Sequence, residues 1–308
     1  MAEMINVSES PHVREKTTTR QIMLTVIAAL APTAVFGVAY SGFHSLILMA
    51  VTVGCAVVTE YIFCRVTHKT VHVDDFSAVL TGILLTLNLP PTLPLWMGGL
   101  GAIFAIAVVK MLYGGLGENF MNPALGGRIF LLMSFAGPMT KFGVDAVSGA
   151  TPLAILKEGG TVPLKDLLLG TTGGTIGETP AVLILAGGLF LVIIRIIDFR
   201  VPVFYLLSFT LFMILLGGRG ADPVYLTAQL CSGGLMLGAW FMATDYVTSP
   251  ITKNGKIIFG ILLGLLTCLF RVYGRSAGGV SYAIVIGNLV VPLIEKLTLP
   301  RAFGVGGE

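Results

Sequence analysis

Long apolar blocks separated by short polar breaks run the length of the chain. Ten of them are long enough, or nearly so, to cross a hydrocarbon layer as helices: 22–40, 44–63, 76–89, 95–113, 124–139, 180–197, 202–217, 225–243, 257–273 and 280–297. The third and fifth are shorter than a full crossing. The blocks do not alternate residue by residue as barrel strands would, and an open sheet leaves backbone groups unpaired in lipid. The pattern predicts an all-α integral membrane protein with about ten transmembrane helices.

Basic residues set the expected orientation. Arg14, Lys16 and Arg20 precede the first block, Arg65 and Lys69 follow the second, and Arg195 and Arg200 flank the junction of the sixth and seventh. Lys253 and Lys256 lie between the eighth and ninth, and Lys296 and Arg301 close the chain. All of these fall on one side if both termini are cytoplasmic, whereas the turns Tyr40–Phe43 and Leu89–Pro94 carry no charge. The longest polar interruption, 140–179, then faces outside, and its Gly/Thr-rich end, Gly170–Gly177, reads as an irregular loop. The expected divisions are a cytoplasmic N-terminal arm over 1–21, a first membrane half over 22–139, an extracytoplasmic loop over 140–179, a second membrane half over 180–299 and a C-terminal tail over 300–308.

A shift of 160 residues lays Pro90 on Pro250, Thr92 on Thr252, Tyr113 on Tyr273, Gly114 on Gly274 and Gly127 on Gly287. The matched stretches join blocks three to five onto blocks eight to ten. Five spans per half is an odd number, so the second copy is predicted to be inverted in the membrane. Two inverted five-helix repeats are a transporter-like architecture, with interrupted helices meeting near the midplane.

Composition narrows the function classes. The chain is 55% hydrophobic and only 11% charged, against about a quarter charged in soluble domains. A net charge of +3 with no basic face gives no footing for nucleic acid. The cysteines Cys55, Cys64, Cys231 and Cys268 sit in or beside apolar blocks without a Cys-x-x-Cys pair, so they read as small core hydrophobes and not as zinc or iron–sulfur ligands. His68 and His72, followed by Asp74 and Asp75, read as a solvated loop, and no metal site is predicted. Residues 1–21 lack the apolar region and cleavage site of a signal peptide.

The sharpest candidate chemistry lies in the outer loop. In Asp145-Ala-Val-Ser148-Gly149-Ala150-Thr151-Pro152 a hydroxyl follows two very small residues, which leave room for a modifying enzyme or a large phosphate ester. Asp145 is placed to orient the hydroxyl or to hold a metal for the transferring enzyme. Thr151 also reads as the N-cap of a helix that Pro152 opens and Leu153–Lys157 continues. The two readings are compatible, because a helix N-terminus favours a phosphate.

The DxxSGAT stretch resembles the flavinylation motif of the RnfD and NqrB family of membrane redox subunits. Gly117-Glu-Asn-Phe-Met-Asn-Pro-Ala124, Thr244-Asp-Tyr-Val-Thr-Ser-Pro250 and Gly287-Asn-Leu-Val-Val-Pro-Leu293 are also similar to that family, so the resemblance covers nearly the whole chain. The Gly274–Gly279 turn departs from it, lacking the aromatic and proline expected before the glycine. The resemblance implies that Thr151 bears FMN through a phosphoester bond, within a motif completed by Asp145, Ser148, Gly149 and Ala150. It implies an FAD-dependent flavin transferase for maturation and a second, non-covalent flavin (riboflavin) in the membrane part. Partner subunits would carry the iron–sulfur centres, a second FMN and the NAD site, since this chain has no dinucleotide fingerprint. The short N-terminal arm is more like the RnfD branch, whose complex links electron flow between ferredoxin and NAD to sodium or proton movement. A quinone-reducing sodium pump is the alternative within the family, and a solute channel or secondary transporter the alternative outside it.

Polar residues inside membrane segments are costly and so are candidates by default. Asp245 ends the eighth block beside Thr244, Thr248, Ser249 and Pro250. Hydroxyls, freed carbonyls and a carboxylate there suit a sodium ion or a flavin's polar edge, or else form an interfacial cap. Asn119 and Asn122 are placed to hydrogen-bond a flavin ring or a broken-helix carbonyl. Lys110 and Arg128 read as chains that snorkel to the same interface, and Asn88 as a turn residue. No residue reads as catalytic in the acid–base sense: Thr151 is a tether, and the chemistry belongs to the flavin.

Overall fold

The computed structural model describes residues 17–70, 73–144, 147–148, 151–158, 160–170, 172–178, 180–274 and 279–300. All ten apolar blocks form helices. Helix α1 (Thr19–Ser41) opens at a capping box, in which the Thr18 hydroxyl accepts from the Gln21 amide and the Gln21 side chain accepts from the Thr18 amide. Gly42, at φ 86°, turns the chain directly into α2 (Phe43–Val66). Next come α3 (Ser77–Leu87) and α4 (Leu95–Phe104), which runs on as a π-helix over Ala105–Met111.

Three later helices, α5 (Pro123–Ser134), α7 (Pro152–Lys157) and α11 (Pro223–Cys231), begin alike. Their caps Asn122, Thr151 and Asp222 accept from the amides of Leu125, Ala154 and Val224. A proline follows each cap, where its missing N–H leaves no helical bond unmade. The remaining elements are α6 (Ala136–Met139), α8 (Leu164–Leu169), α9 (Ala181–Ile193), α10 (Arg200–Leu216), α12 (Leu235–Leu237), α13 (Lys253–Val272) and α14 (Gly279–Thr298). Helix α12 continues as a second π-helix over Gly238–Met242.

Four helices, α1, α2, α13 and α14, are long and apolar enough to cross a membrane by themselves. The pair α11 and α12, bent by 64°, makes a fifth if it is one broken span. The others are shorter apolar helices. Leu207, Leu211 and Leu215 of α10 are exposed at a spacing of four, an apolar stripe facing outward as lipid contact requires.

Helix α2 packs along α4 as α10 packs along α13, and α4 lies on α5 as α13 lies on α14. The halves meet where α1 packs on α9 and α5 on α14. At one end of the molecule Asp198, before α10, accepts from Arg200 and Lys256, and the Ile251 amide reaches Glu295 of α14. Burial works to raise the Asp198 carboxyl, but the Arg200 amide, Lys256 and the Arg200 side chain outweigh it and hold it below the usual range. The segments that carry Arg200 and Lys256 therefore meet.

Between 140 and 179 the Gly/Thr-rich end is irregular, but the rest has local order. Strands β1 (Gly143–Val144) and β2 (Val147–Ser148) pair antiparallel with Gly143 opposite Ser148, the one exception to an all-helical fold among the described residues. After α7 and α8 the segment returns into the helical body. The Ile176 amide donates to Leu89 O at 3.1 Å and the Gly177 amide to Leu87 O at 2.7 Å. Those carbonyls lie at the end of α3, where helical partners run out. A Cβ on Gly177 would stand 2.6 Å from Leu87 Cβ and 2.9 Å from Leu87 O, so only glycine seats here. Gly177→Ala is expected to cost roughly 1–3 kcal/mol by overpacking, seen as a lower melting temperature in detergent and faster proteolysis of the 140–179 segment. Unchanged melting would show that this insertion contributes little.

Candidate functional site

A cleft of about 410 Å³ opens between α7, the ends of α10 and α13, and α11, within the roughly 300–1,000 Å³ of small-molecule sites. Thr151 lies on its wall, and its Oγ accepts from the Ala154 amide at 3.3 Å, so the expected cap is present. Asp145, Gly149, Ala150 and the side chain of Ser148 lie outside the described residues.

Three cations from separate segments line the same cleft: Lys157 of α7, Arg219 after α10, and Arg271 of α13. Lys157 Nζ donates to Gly274 O at 2.6 Å, tying the Thr151 helix to the end of α13. The Arg219 guanidinium lies 5.0 Å from the Tyr225 ring centroid. Arg271 donates through Nη1 to the backbone and side-chain oxygens of Gln229, and through Nη2 to Ser232 O at 2.7 Å. Those carbonyls mark the break after α11, where Gly233 and Gly234 hold φ values of 69° and 66°. Arg271 thus satisfies what the broken helix leaves open. Glu178 adds a carboxylate to the wall and accepts from the Thr175 amide at 2.9 Å.

The other candidates gather at the far end of α13, whose 20 residues span about 30 Å. Asn119, Asn122, Thr244 and Asp245 line one pocket of about 80 Å³ together with Lys110 and Trp240. Asn122 caps α5 and donates to Met242 O at 3.3 Å, the closing carbonyl of the second π-helix. Asn119 donates to Met121 O at 3.1 Å. Thr248 donates to Asp245 Oδ2 at 3.1 Å, and Thr244 to Trp240 O at 2.8 Å, so both hydroxyl protons are already used. Trp240 Nε1 is buried without a partner, an omission that costs about 1–3 kcal/mol for a donor and fits a pocket that receives an acceptor.

Two sequence expectations are overturned. Lys110 does not snorkel: it is 2% exposed, and its Nζ donates to Glu60 Oε1 at 2.8 Å, Oε2 at 2.9 Å and Ser77 Oγ at 2.6 Å. Arg128 does not snorkel either; it is 4% exposed and donates to Asn88 Oδ1 at 2.7 Å. Glu60 of α2 and Ser77 of α3 satisfy Lys110 inside, whereas Arg128 has the single bond to Asn88, just past α3, and its buried Nε has no partner among the described residues. Asn88 is consequently more than a turn residue, since its Nδ2 also donates to Leu84 O at 2.7 Å.

His68 takes a left-handed turn at φ 52° after α2, while His72 lies outside the described residues. Among the described residues no cluster of three His, Cys, Asp or Glu side chains forms. All four cysteines are free, and Cys64, Cys231 and Cys268 are buried. Sequence reasoning passed over Trp240, Glu178 and Arg271; an arginine closing an apolar block was the available signal.

Comparison with known proteins agrees in extent with this arrangement. A family model described as the NQR2, RnfD, RnfE family matches residues 6–304. The chain is 46% identical to the D subunit of the Na(+)-translocating ferredoxin:NAD(+) oxidoreductase complex of Acetobacterium woodii, covering 98% of this chain and 96% of the relative. It is 42% identical to the D subunit of the proton-translocating ferredoxin:NAD(+) oxidoreductase complex of Clostridium ljungdahlii, over 98% and 96% of the two chains. Identity to the D subunit of the ion-translocating oxidoreductase complex of Methanosarcina acetivorans is 33%, over 97% and 96%. With both pockets and every helix inside the matched region, the chain belongs to the NQR2, RnfD, RnfE family.

Proposed function

We propose that the chain is the flavin-bearing electron-transfer subunit of an Rnf-type complex, which couples ferredoxin–NAD electron flow to movement of sodium ions or protons. The observation that carries this reading is Thr151 on the wall of a ligand-sized cleft lined by Lys157, Arg219 and Arg271. A phosphodiester carries negative charge, and these cations suit it. Thr151 Oγ would take the FMN phosphate from FAD, with a flavin transferase and release of AMP. Lys157, Arg219 and Arg271 would hold the charged end, and Tyr225 would supply an aromatic wall. When bound, the flavin accepts and passes on electrons, while the protein contributes position and electrostatics.

The second flavin of this reading, riboflavin held without a covalent bond, is not assigned a site: the pocket of Asn119, Asn122, Thr244, Asp245 and Trp240 is about 80 Å³, below ligand size. The matched packing of α2–α4 with α10–α13 and of α4–α5 with α13–α14 supports two inverted five-helix repeats in a ten-span subunit. In this reading both termini are cytoplasmic, and the partners are the complex's iron–sulfur and second FMN subunits.

Made together with a flavin transferase, denatured protein is expected to fluoresce under ultraviolet light on a gel, and Thr151→Ala to be dark. A dark wild-type band overturns the reading. Orientation has its own check. Glu158 is exposed at the end of α7, so Glu158→Cys should react with an impermeant thiol reagent on intact cells. Labelling that appears only in inside-out vesicles would reverse the topology.

A further inference from the structure

We propose that Glu178 is the proton-exchanging carboxyl of the Thr151 cleft, an inference that rests on the flavin reading of Thr151. Glu178 shares the cleft wall with Thr151 and ends the segment that inserts beside α3. Its Oε2 accepts from the Thr175 amide at 2.9 Å, and Oε1 makes no hydrogen bond among the described residues. A glycine clears the space beside it: a Cβ at Gly174 would collide with Oε2.

The charged groups that face this carboxyl are Arg128 from α5 and Arg271 from α13. Neither forms an ion pair with it: Arg128 donates to Asn88, and Arg271 to Gln229 and Ser232. Lys157, Arg219, Tyr225 and Cys231 are the other titratable groups on the cleft wall. Burial pushes the Glu178 carboxyl above the usual carboxylate range, and the opposing pull of Arg128, the Thr175 amide and Arg271 does not cancel it. An unpaired carboxyl held above its ordinary range at the wall of a cleft has the properties of a general acid.

Reduction of an oxidised flavin ring to its singly negative form takes two electrons and one proton. The electrons arrive singly from the complex's iron–sulfur and flavin carriers. Glu178 would supply the proton: its O–H bond would break as an N–H bond formed on the ring, and the carboxylate would regain a proton from water at the mouth of the cleft. Oxidation reverses each step. Arg128 and Arg271 keep the carboxylate tolerable between turnovers without locking it into a pair.

The test uses the whole complex, with gel fluorescence first verifying the flavin on wild type and on Glu178→Gln, whose amide oxygen still accepts from Thr175. Reduction of this flavin by reduced ferredoxin is followed by rapid mixing, as a difference spectrum against a Thr151→Ala complex. In the Gln variant the rate is expected to fall about 10²-fold at neutral pH and the pH profile to lose its wild-type inflection. Equal rates, or a slow variant that keeps the inflection, would overturn the role of Glu178 while leaving the flavin reading standing. A wild-type protein without a fluorescent band would instead overturn the flavin reading. If the Gln variant fails to accumulate, Glu178→Asp decides: it keeps an exchangeable proton, so its inflection should move to a new pH. An inflection at the wild-type position would overturn the inference.

Discussion

Thr151→Ala is expected to fold, insert and assemble, yet to carry no covalent flavin and to reduce the electron transfer of its complex to background. The two effects separate because they differ in size. Losing the cap costs about 1 kcal/mol, while Pro152 and Leu156 remain buried and Lys157 still holds α7 to Gly274. The flavin, by contrast, loses the hydroxyl oxygen through which this reading attaches it. Thr151→Ser keeps both the hydroxyl and the cap, so it should retain the cap energy and part of the flavin. The pair of variants is read by melting in detergent, gel fluorescence and ferredoxin:NAD turnover. Loss of folding in Thr151→Ala but not in Thr151→Ser would assign Thr151 a structural role instead.

The second large effect concerns Lys110 and Glu60, an ion pair at 2.8 Å with both side chains 3% exposed or less. Removing one partner leaves an uncompensated buried charge, so Lys110→Met or Glu60→Leu should each destabilise by about 3–5 kcal/mol. Replacing both with apolar residues, Lys110→Met with Glu60→Leu, should cost far less than the sum, because no charge is then stranded. Ser77, which accepts from Lys110 and donates to Asp75, remains satisfied through Asp75 in every variant. A double-mutant cycle on melting temperature measures the coupling. Additive losses would mean that water reaches the site and solvates each charge.

Much of this architecture was legible because lipid imposes long apolar blocks, and every block is largely helical, though 124–139 and 225–243 are each broken. The Thr151 cap was legible too, since Thr-Pro before Leu153–Lys157 is a local signal. Partner-dependent facts were not. Nothing in the sequence around Lys110 announces Glu60, 50 residues earlier, so snorkelling was the natural reading of an isolated lysine. Arg128 was misread for the same reason, its partner Asn88 lying 40 residues away. The π-helices escaped notice because a widened turn leaves no mark on hydrophobic periodicity. Trp240 drew no attention because only packing shows that its Nε1 lacks a partner.

Mass spectrometry of the proteolytic peptide containing Thr151, from protein made together with its flavin transferase, tests the central claim most directly. The account predicts a peptide heavier by one FMN less one water, with fragment ions placing the whole addition on Thr151. An unmodified peptide, or an addition borne by Ser148, would contradict it.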